Sequence, residues 1–294
     1  MNAQPAIFEN RTPLDPVETP WPLVRGQRPT FRLSDLWKAP FHDFPIRDEI
    51  LYQFLPLSPD LDILEIGPGS GFTAFRLSRE ARQVSLLDVS AGAIEQLRSR
   101  LRDIRNLNFI HADLCAPGLK ELIKKQFDAA FGLAVLDLLP DPAAGLRNLT
   151  ELLSPGGRLV LEFPNYPPPK ARGVTFFRER KELDRLLESA GFRAWTLHAL
   201  RLRSHARFLF EFFHERPLRL LRRLRRTDRS GAKPLAYEET WAFQKSRTLE
   251  PSKALLHAGW AGLLGALHAG GSAFEALPLG DDILNHDLLL LARR

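Results

Sequence analysis

The chain has 294 residues, of which 44% are hydrophobic and 26% charged, so it can bury a full core and has the composition of an ordinary globular protein. Its one cysteine, Cys115, excludes an internal disulfide, and neither a membrane-spanning apolar run nor a secretory signal is expected. We therefore predict a cytoplasmic protein, whose net charge of +6 argues against a uniformly acidic surface.

The first 45 residues predict an N-terminal arm or lid rather than part of the core. Residues 1–33 are rich in proline and lack helical or strand periodicity, which indicates an extended arm. After Pro45, apolar residues recur on one helical face over residues 46–55, which predicts a helix that Pro56 ends. We take this helix as the start of the core, which is expected to span residues 46–203.

Short apolar strands and helices then alternate along the chain. Strands are predicted at 62–66, 83–88, 107–111, 128–133 and 158–163, and helices at 72–81, 91–103, 119–125 and 142–153. This alternation is typical of βαβ units, so we predict an α/β protein with a parallel sheet covered on both faces.

The remainder of the chain predicts the end of the core and an insertion. Further elements are predicted at 180–190, a helix ended by Gly191, and at 193–202 and 286–294, both strands. The proline-rich loop 164–169 cannot pair in a sheet. Residues 204–283 are expected to form a mainly helical insertion before the final core strand at 284–294.

The most informative segment is ILEIGPGSGF, from Ile63 to Phe72, which predicts a buried strand, a glycine turn and the start of a helix. Gly67, Gly69 and Gly71 remove Cβ atoms that would keep the backbone away from a ligand. A turn of this kind at the carboxyl end of a parallel strand is where α/β sheets bind nucleotide-like cofactors.

The spacing of these glycines disfavours a dinucleotide, because that motif needs a third small residue where this chain has Phe72. The series Glu65-x-Gly67-x-Gly69-x-Gly71 instead resembles the first motif of the class I S-adenosylmethionine-dependent methyltransferases. The resemblance implies that the turn approaches the amino acid end of S-adenosylmethionine and that Glu65 helps to hold it. The alternative is a tight structural turn with no ligand.

The resemblance covers residues 46–203 and 284–294. It implies a Rossmann-like sheet of seven strands, mostly parallel, with the last strand antiparallel between the fifth and sixth. The phrase LLSPGGRLVLE, starting at Leu152, looks like the family's entry into its fifth strand. The arm and the insertion lie where relatives carry acceptor-binding lids.

Two acids follow predicted strands at the spacing of cofactor-binding residues. Asp88 ends the second strand, where a carboxylate can accept hydrogen bonds from a ribose diol; the alternative is an acid that caps the next helix. Asp113 resembles the family acid that reads the adenine amino group, or else is an uninformative loop residue. Val89 and Leu114 would then flank the adenine.

The end of the fourth strand is expected to face the reacting methyl group and the acceptor, with Leu133 beside the cofactor. Asp137 stands where many small-molecule methyltransferases have histidine, so it could orient a substrate, act as a base or cap a turn. His42, His205 and His214, in the two lid segments, are weaker candidates for a base. No metal site is expected, because no His/Cys cluster has zinc spacing.

The positive charge is concentrated near the start of the insertion. Ten arginines and three acidic residues lie between Arg201 and Arg229, so this segment alone exceeds the net charge of the whole chain. Residues 207–229 could form a basic amphipathic helix suited to an anionic membrane surface, nucleic acid or an acidic acceptor. A solvated arginine face on a lid helix explains the pattern equally well.

The sequence thus predicts an enzyme that moves a methyl group from S-adenosylmethionine to a small or lipid-like acceptor, leaving S-adenosylhomocysteine. The acceptor atom is left open as O, N or C. A non-catalytic cofactor-binding or membrane-peripheral protein is the competing interpretation, and an RNA methyltransferase is a third. DNA is not expected as a partner, because the Asn/Asp-Pro-Pro-Tyr box of amino-methylating enzymes does not follow the fourth strand.

Overall fold

The computed structural model describes residues 54–55, 57–166, 175–202, 274–284 and 286–294. The predicted arm and nearly all of the predicted insertion lie outside these residues. The strands are β1 Asp62–Ile66, β2 Gln83–Asp88, β3 Leu107–His111, β4 Phe127–Leu133, β5 Leu153–Asn165, β6 Ala194–Leu202, β7 Phe274–Pro278 and β8 His286–Arg293. The α-helices are α1 Phe72–Leu77, α2 Ala91–Arg100, α3 Leu119–Ile123, α4 Pro142–Leu152 and α5 Arg180–Ala190.

The strands form one sheet in the order β3-β2-β1-β4-β5-β8-β6-β7. The pairs β2–β3, β1–β2, β1–β4 and β4–β5 are parallel, and β8 lies antiparallel between β5 and β6. Strand order reverses at β1 and β4, which is the place where an open α/β sheet forms a ligand crevice. The predicted Rossmann-like α/β class is confirmed, including the antiparallel last strand between the fifth and sixth.

The strand count differs from the prediction by one. The sequence predicts seven strands, whereas the described sheet has eight, because β7 pairs antiparallel with β6. This strand, Phe274–Pro278, falls in the segment that the sequence predicts to be mainly helical. Five residues without a clear alternation carry little periodic signal, and the pairing partner lies more than seventy residues earlier in the chain.

Each face of the sheet is covered by helices, since β1 is buried along its whole length. Ile63 packs in one apolar cluster with α1 and α2, whereas Leu64 and Ile66 pack in a second cluster with α3, α4 and α5. Because successive side chains of a strand point to opposite faces, Glu65 shares the face of Ile63. An acid therefore stands in the strand that is most fully enclosed.

Local residues mark the starts of α2 and α4 and the end of α5. The Ser90 hydroxyl accepts a hydrogen bond from the Ala93 N–H and caps α2, and Asp141 does the same for α4 through the Ala144 N–H. Gly191, with a φ of 92°, ends α5 as predicted. Helices α1 and α2 stop earlier than predicted, at Leu77 and Arg100. In the part of the chain that the structure describes, no helix is long and apolar enough to cross a membrane.

Candidate functional site

The glycine turn between β1 and α1 lies at the carboxyl end of the sheet, beside the reversal of strand order. Gly67, Gly69 and Gly71 have φ values of 63°, 52° and 79°, in the left-handed region that disfavours residues with a Cβ. The Gly67 N–H still donates to the Leu87 carbonyl at 2.9 Å, so the turn starts directly from the β1–β2 ladder. The predicted strand, turn and helix are all observed.

The three glycines differ in how much space an added Cβ atom would find. A Cβ on Gly71 would lie 2.6 Å from a Leu97 methyl carbon and 2.9 Å from one of Leu101, so this position is closed by α2. A Cβ on Gly67 would lie 2.8 Å from Val135. A Cβ on Gly69 would meet nothing within 4 Å, so open space adjoins the turn there.

Helix α2 also braces the turn through a charged side chain. The Arg100 guanidinium donates a hydrogen bond to the Ser70 carbonyl at 3.0 Å. The Arg100 side chain is partly shielded from water, and this burial lowers the pKa of Arg100 from its ordinary value. The turn is therefore held from one side by apolar contacts at Gly71 and by a charge-assisted hydrogen bond at Ser70.

Two carboxylates are buried at the ends of adjacent strands. Glu65 on β1 and Asp88 on β2 are each 4% exposed. Glu65 pairs with Leu86, and Asp88 follows Leu86 by two residues, so both acids share one face of the sheet. Carboxylate oxygens accept several hydrogen bonds each, so two carboxylates beside a glycine turn can serve a ligand that carries hydroxyl or ammonium donors.

Asp88 holds the start of α2 without being its cap. One carboxylate oxygen of Asp88 accepts from the Ser90 N–H at 2.9 Å, while Ser90 itself caps the helix. The alternative interpretation of Asp88 as the capping acid is thus replaced by a supporting contact to the cap residue. This contact fixes the orientation of the carboxyl group at the rim of the crevice.

The remaining predicted adenine contacts differ in exposure. Val89 is 48% exposed, as a wall of an open site would be, whereas Leu114 is 4% exposed and packs in the core with α4. Asp113 is exposed, and its carboxylate accepts from the Cys115 N–H at 2.8 Å. Cys115 donates from sulfur to the Asp141 carbonyl, and burial raises the pKa of its thiol.

The connection after β4 contains the predicted acceptor-side acid. Leu133 is half-buried against the cluster that contains Ile63, and Asp137 is 5% exposed in a short 3-10 helix, Leu136–Leu138. The Asp137 carbonyl accepts from the Thr175 N–H at 2.7 Å. The carboxyl group of Asp137 is therefore enclosed by protein, whereas the next residue, Leu138, is 43% exposed.

Several residues near this end of the sheet carry no prediction from the sequence. Glu162 on β5 is 1% exposed, and Tyr166 just after β5 is 47% exposed. Burial, together with the charges of Asp287 and Glu162, raises the pKa of Tyr166. A lone acid in the apolar strand LVLEF is a signal that could have indicated Glu162. The other predicted features lie outside the described residues: His42, His205, His214 and the basic residues 207–229.

These features fit a sulfonium nucleoside. Buried carboxylates suit hydroxyl and ammonium donors, and the left-handed turn at Gly69 leaves room for a close approach. The exposed Val89 offers an apolar surface beside Asp88. The fold and these acceptor groups together suit a nucleotide-like, positively charged ligand at the carboxyl ends of β1 and β2.

Comparison with known proteins finds methyltransferases. Residues 64–159 match the family model described as a methyltransferase domain. Ubiquinone biosynthesis O-methyltransferase of Alkalilimnicola ehrlichii is 27% identical over 130 residues, which is 44% of this chain and 52% of that protein. The tRNA 5-carboxymethoxyuridine methyltransferase of Escherichia coli is 32% identical over 129 residues, 41% of this chain and 49% of that protein. The chain spans about half the length of these curated relatives.

Among solved structures, phosphoethanolamine N-methyltransferase 2 of Haemonchus contortus with S-adenosyl-L-methionine aligns at a TM-score of 0.48 and 15% identity, covering 89% of this chain and 56% of that one. The match over residues 64–159, together with the curated relatives, supports a class I S-adenosylmethionine-dependent methyltransferase. The resemblance predicted from the glycine turn is confirmed, and S-adenosylmethionine is the cofactor of that family.

Proposed function

We propose that the chain transfers a methyl group from S-adenosylmethionine to a small or lipid-like acceptor. The observation that carries the proposal is the pair of buried carboxylates, Glu65 and Asp88, beside a left-handed turn that is open at Gly69. Two acceptor groups beside an open turn suit the hydroxyl and ammonium donors of a nucleoside ligand.

Each residue has a distinct part in this proposal. Asp88, oriented by the Ser90 N–H, accepts hydrogen bonds from the ribose hydroxyls. Glu65 and the turn at Gly69 hold the amino acid end, and Val89 packs against the adenine. Asp113 accepts from the adenine amino group with its remaining lone pairs. Leu133 borders the cofactor, whereas Leu114, which is 4% exposed, supports the wall from the core.

The chemistry asks the protein mainly for positioning. When bound, the sulfonium supplies an activated methyl group, so an in-line nucleophile held at about 3 Å needs little further catalysis. Asp137 is the described candidate for orienting the acceptor or accepting its proton. Its burial, with 5% exposure, keeps the carboxyl group out of bulk water and so suits either task.

The proposed acceptor class rests on side chains at the ends of β4 and β5. Leu138 and Tyr166, 43% and 47% exposed, are large apolar groups left open to the solvent on this side of the sheet. Exposed aliphatic and aromatic groups at this end of the sheet can contact a small aromatic or lipid-like acceptor. The two curated relatives carry different acceptors in their names, one in ubiquinone biosynthesis and one a tRNA uridine, so their similarity does not choose between them.

The test is calorimetric titration with S-adenosylhomocysteine, which reports cofactor binding without needing the acceptor. We expect saturable binding by the unmodified chain and a loss of about 1–3 kcal/mol for Asp88→Asn, because the carboxylate loses hydrogen bonds that only a charged acceptor makes well. Asp103→Asn is the matched control, since this acid lies on the surface with 67% of its side chain exposed. Unchanged affinity in Asp88→Asn would remove Asp88 from the site.

An RNA acceptor is the second candidate, because the Escherichia coli relative is a tRNA methyltransferase at 32% identity. Formation of S-adenosylhomocysteine, measured with quinol-like phenols, with lipids and with unmodified tRNA, separates the two. Turnover with tRNA alone would replace the small-molecule assignment.

Contact of residues 207–229 with an anionic membrane stays a prediction from the sequence. Binding to vesicles containing phosphatidylserine that disappears with added salt would support it. Salt-independent or absent vesicle binding would remove the membrane as a partner.

A further inference from the structure

The connection between β4 and the 3-10 helix starts with a strained residue. Ala134 has a φ of 55°, in the left-handed region where an L-residue with a Cβ is held at a cost of about 1–2 kcal/mol. Its N–H donates to the Glu162 carbonyl at 2.7 Å, which extends the β4–β5 ladder by one bond. The chain therefore leaves the sheet abruptly at Ala134 and turns the next side chain, Val135, back towards β1.

Val135 occupies a socket formed by Gly67 of the glycine turn and Gly132 of β4. A Cβ on Gly67 would lie 2.8 Å from one Val135 methyl carbon, and a Cβ on Gly132 would lie 3.4 Å from the same methyl group and from the Val135 Cβ. Ile66 pairs with Gly132 and Gly67 directly follows Ile66, so the two glycines lie close together where the β1–β4 ladder ends. A side chain at Gly67 would therefore collide with Val135, whereas one at Gly132 would be in close contact with it.

The far end of the connection is fixed to a different element. Thr175, which precedes α5, donates its N–H to the Asp137 carbonyl at 2.7 Å and its hydroxyl to the Leu139 carbonyl at 3.3 Å. The same stretch of chain carries the buried carboxyl group of Asp137 and the exposed side chain of Leu138. One short segment, residues 134–139, thus contacts the glycine turn at one end and carries the acceptor-side groups at the other.

We propose that Val135 is a positioning residue that fixes the segment 134–139 against the glycine turn, so that cofactor occupancy of the turn orders Asp137 and Leu138. The proposal rests on the proposed function, in which S-adenosylmethionine binds at this turn. A ligand that immobilises Gly67 also immobilises one wall of the socket. Because valine is stiff about χ1, a fixed Val135 side chain also restricts the motion of the strained backbone at Ala134 and of the rest of the segment 134–139.

The first test is hydrogen–deuterium exchange over residues 134–139, with and without saturating S-adenosylhomocysteine. In the unmodified chain we expect the ligand to slow exchange in this segment at least about 5-fold. In Val135→Ala this slowing disappears even at concentrations that saturate the site. In Val135→Thr, which keeps the branched shape, it returns.

The second test is a double-mutant cycle read on the dissociation constant for S-adenosylhomocysteine. Gly67→Ala places a methyl group against Val135 and should weaken binding at least about 10-fold; Val135→Ala in the same chain should restore at least about 5-fold of that loss. The left-handed φ of Gly67 keeps the rescue incomplete. Ile123→Ala, a half-buried truncation on α3, is the control for general loss of packing.

The outcomes separate this inference from the proposed function. If the unmodified chain binds the ligand but Val135→Ala retains the full slowing of exchange, Val135 is a packing residue and the inference is wrong. Rescue in thermal stability without rescue in affinity leads to the same conclusion. If the unmodified chain does not bind the ligand at all, the proposed function itself fails.

Discussion

Gly69 and Gly71 lie two residues apart in the same turn, yet alanine should mainly lower stability at Gly71 and mainly lower ligand affinity at Gly69. Gly71→Ala puts a methyl group 2.6 Å from Leu97 and 2.9 Å from Leu101 in a backbone with a φ of 79°. Left-handed strain costs about 1–2 kcal/mol and overpacking about 1–3 kcal/mol, so the loss of stability should be about 2–5 kcal/mol. Gly69→Ala adds no clash, since nothing lies within 4 Å, and should cost only the strain of about 1–2 kcal/mol.

The effect on ligand binding is expected in the reverse order. The methyl group of Gly69→Ala would enter the open space that we assign to the cofactor. It should weaken the binding of S-adenosylhomocysteine at least about 10-fold, or about 1.4 kcal/mol. Gly71→Ala, where it remains folded, points its methyl group at α2 and not at the ligand, so the loss of affinity should be smaller.

Chemical denaturation gives the free energy of unfolding for each variant, and calorimetry gives the affinity. Gly280→Ala is the control, because a Cβ at Gly280 also meets nothing within 4 Å and the residue lies far from the turn in the sequence. Unchanged affinity of Gly69→Ala for S-adenosylhomocysteine would show that the open space at Gly69 does not hold the cofactor. Equal losses of stability in the two turn variants would show that α2 does not close the position at Gly71.

Two further predictions concern stability. Ser90→Ala should lower the free energy of unfolding by about 1 kcal/mol through loss of the α2 cap, measured by urea denaturation; an unchanged midpoint would contradict the cap. Burial raises the pKa of Asp62, but hydrogen bonds from Arg82 and Lys125 outweigh this and hold the pKa below its usual 3.8. Because the folded pKa is the lower one, Asp62 stabilises the fold above about pH 4 and loses this effect as the pH falls through the folded value. The difference in Tm between the unmodified chain and Asp62→Asn should therefore shrink between pH 6 and about pH 3, and a difference that grows on acidification would be evidence against this ion pair.

The fold was largely predictable because its signals are local. Each buried strand of the parallel part is a short apolar run, and residues such as Gly191 and Pro142 mark helix ends within a few positions. Strand β7 gave no comparable signal, since its position is set by pairing with β6 across a long stretch of chain. Tertiary pairing of this kind leaves little trace in five residues.

The candidate site was predictable only where the motif is contiguous. Glu65, the glycines and Asp88 follow from one strand–turn–helix–strand pattern. The contact of Gly67 with Val135 joins residues 68 positions apart, and the left-handed φ of Ala134 belongs to a residue that normally avoids it. Neither the contact of Val135 with the glycine turn nor the different space around the three glycines could be deduced without the three-dimensional structure.

A crystal structure of the complex with S-adenosylhomocysteine tests the central assignment most directly. We expect the ribose hydroxyls to lie within hydrogen-bonding distance of the Asp88 carboxylate and the amino acid end of the ligand to cross the open side of Gly69. Ligand density elsewhere on the chain, with Asp88 and Gly69 untouched, would contradict it.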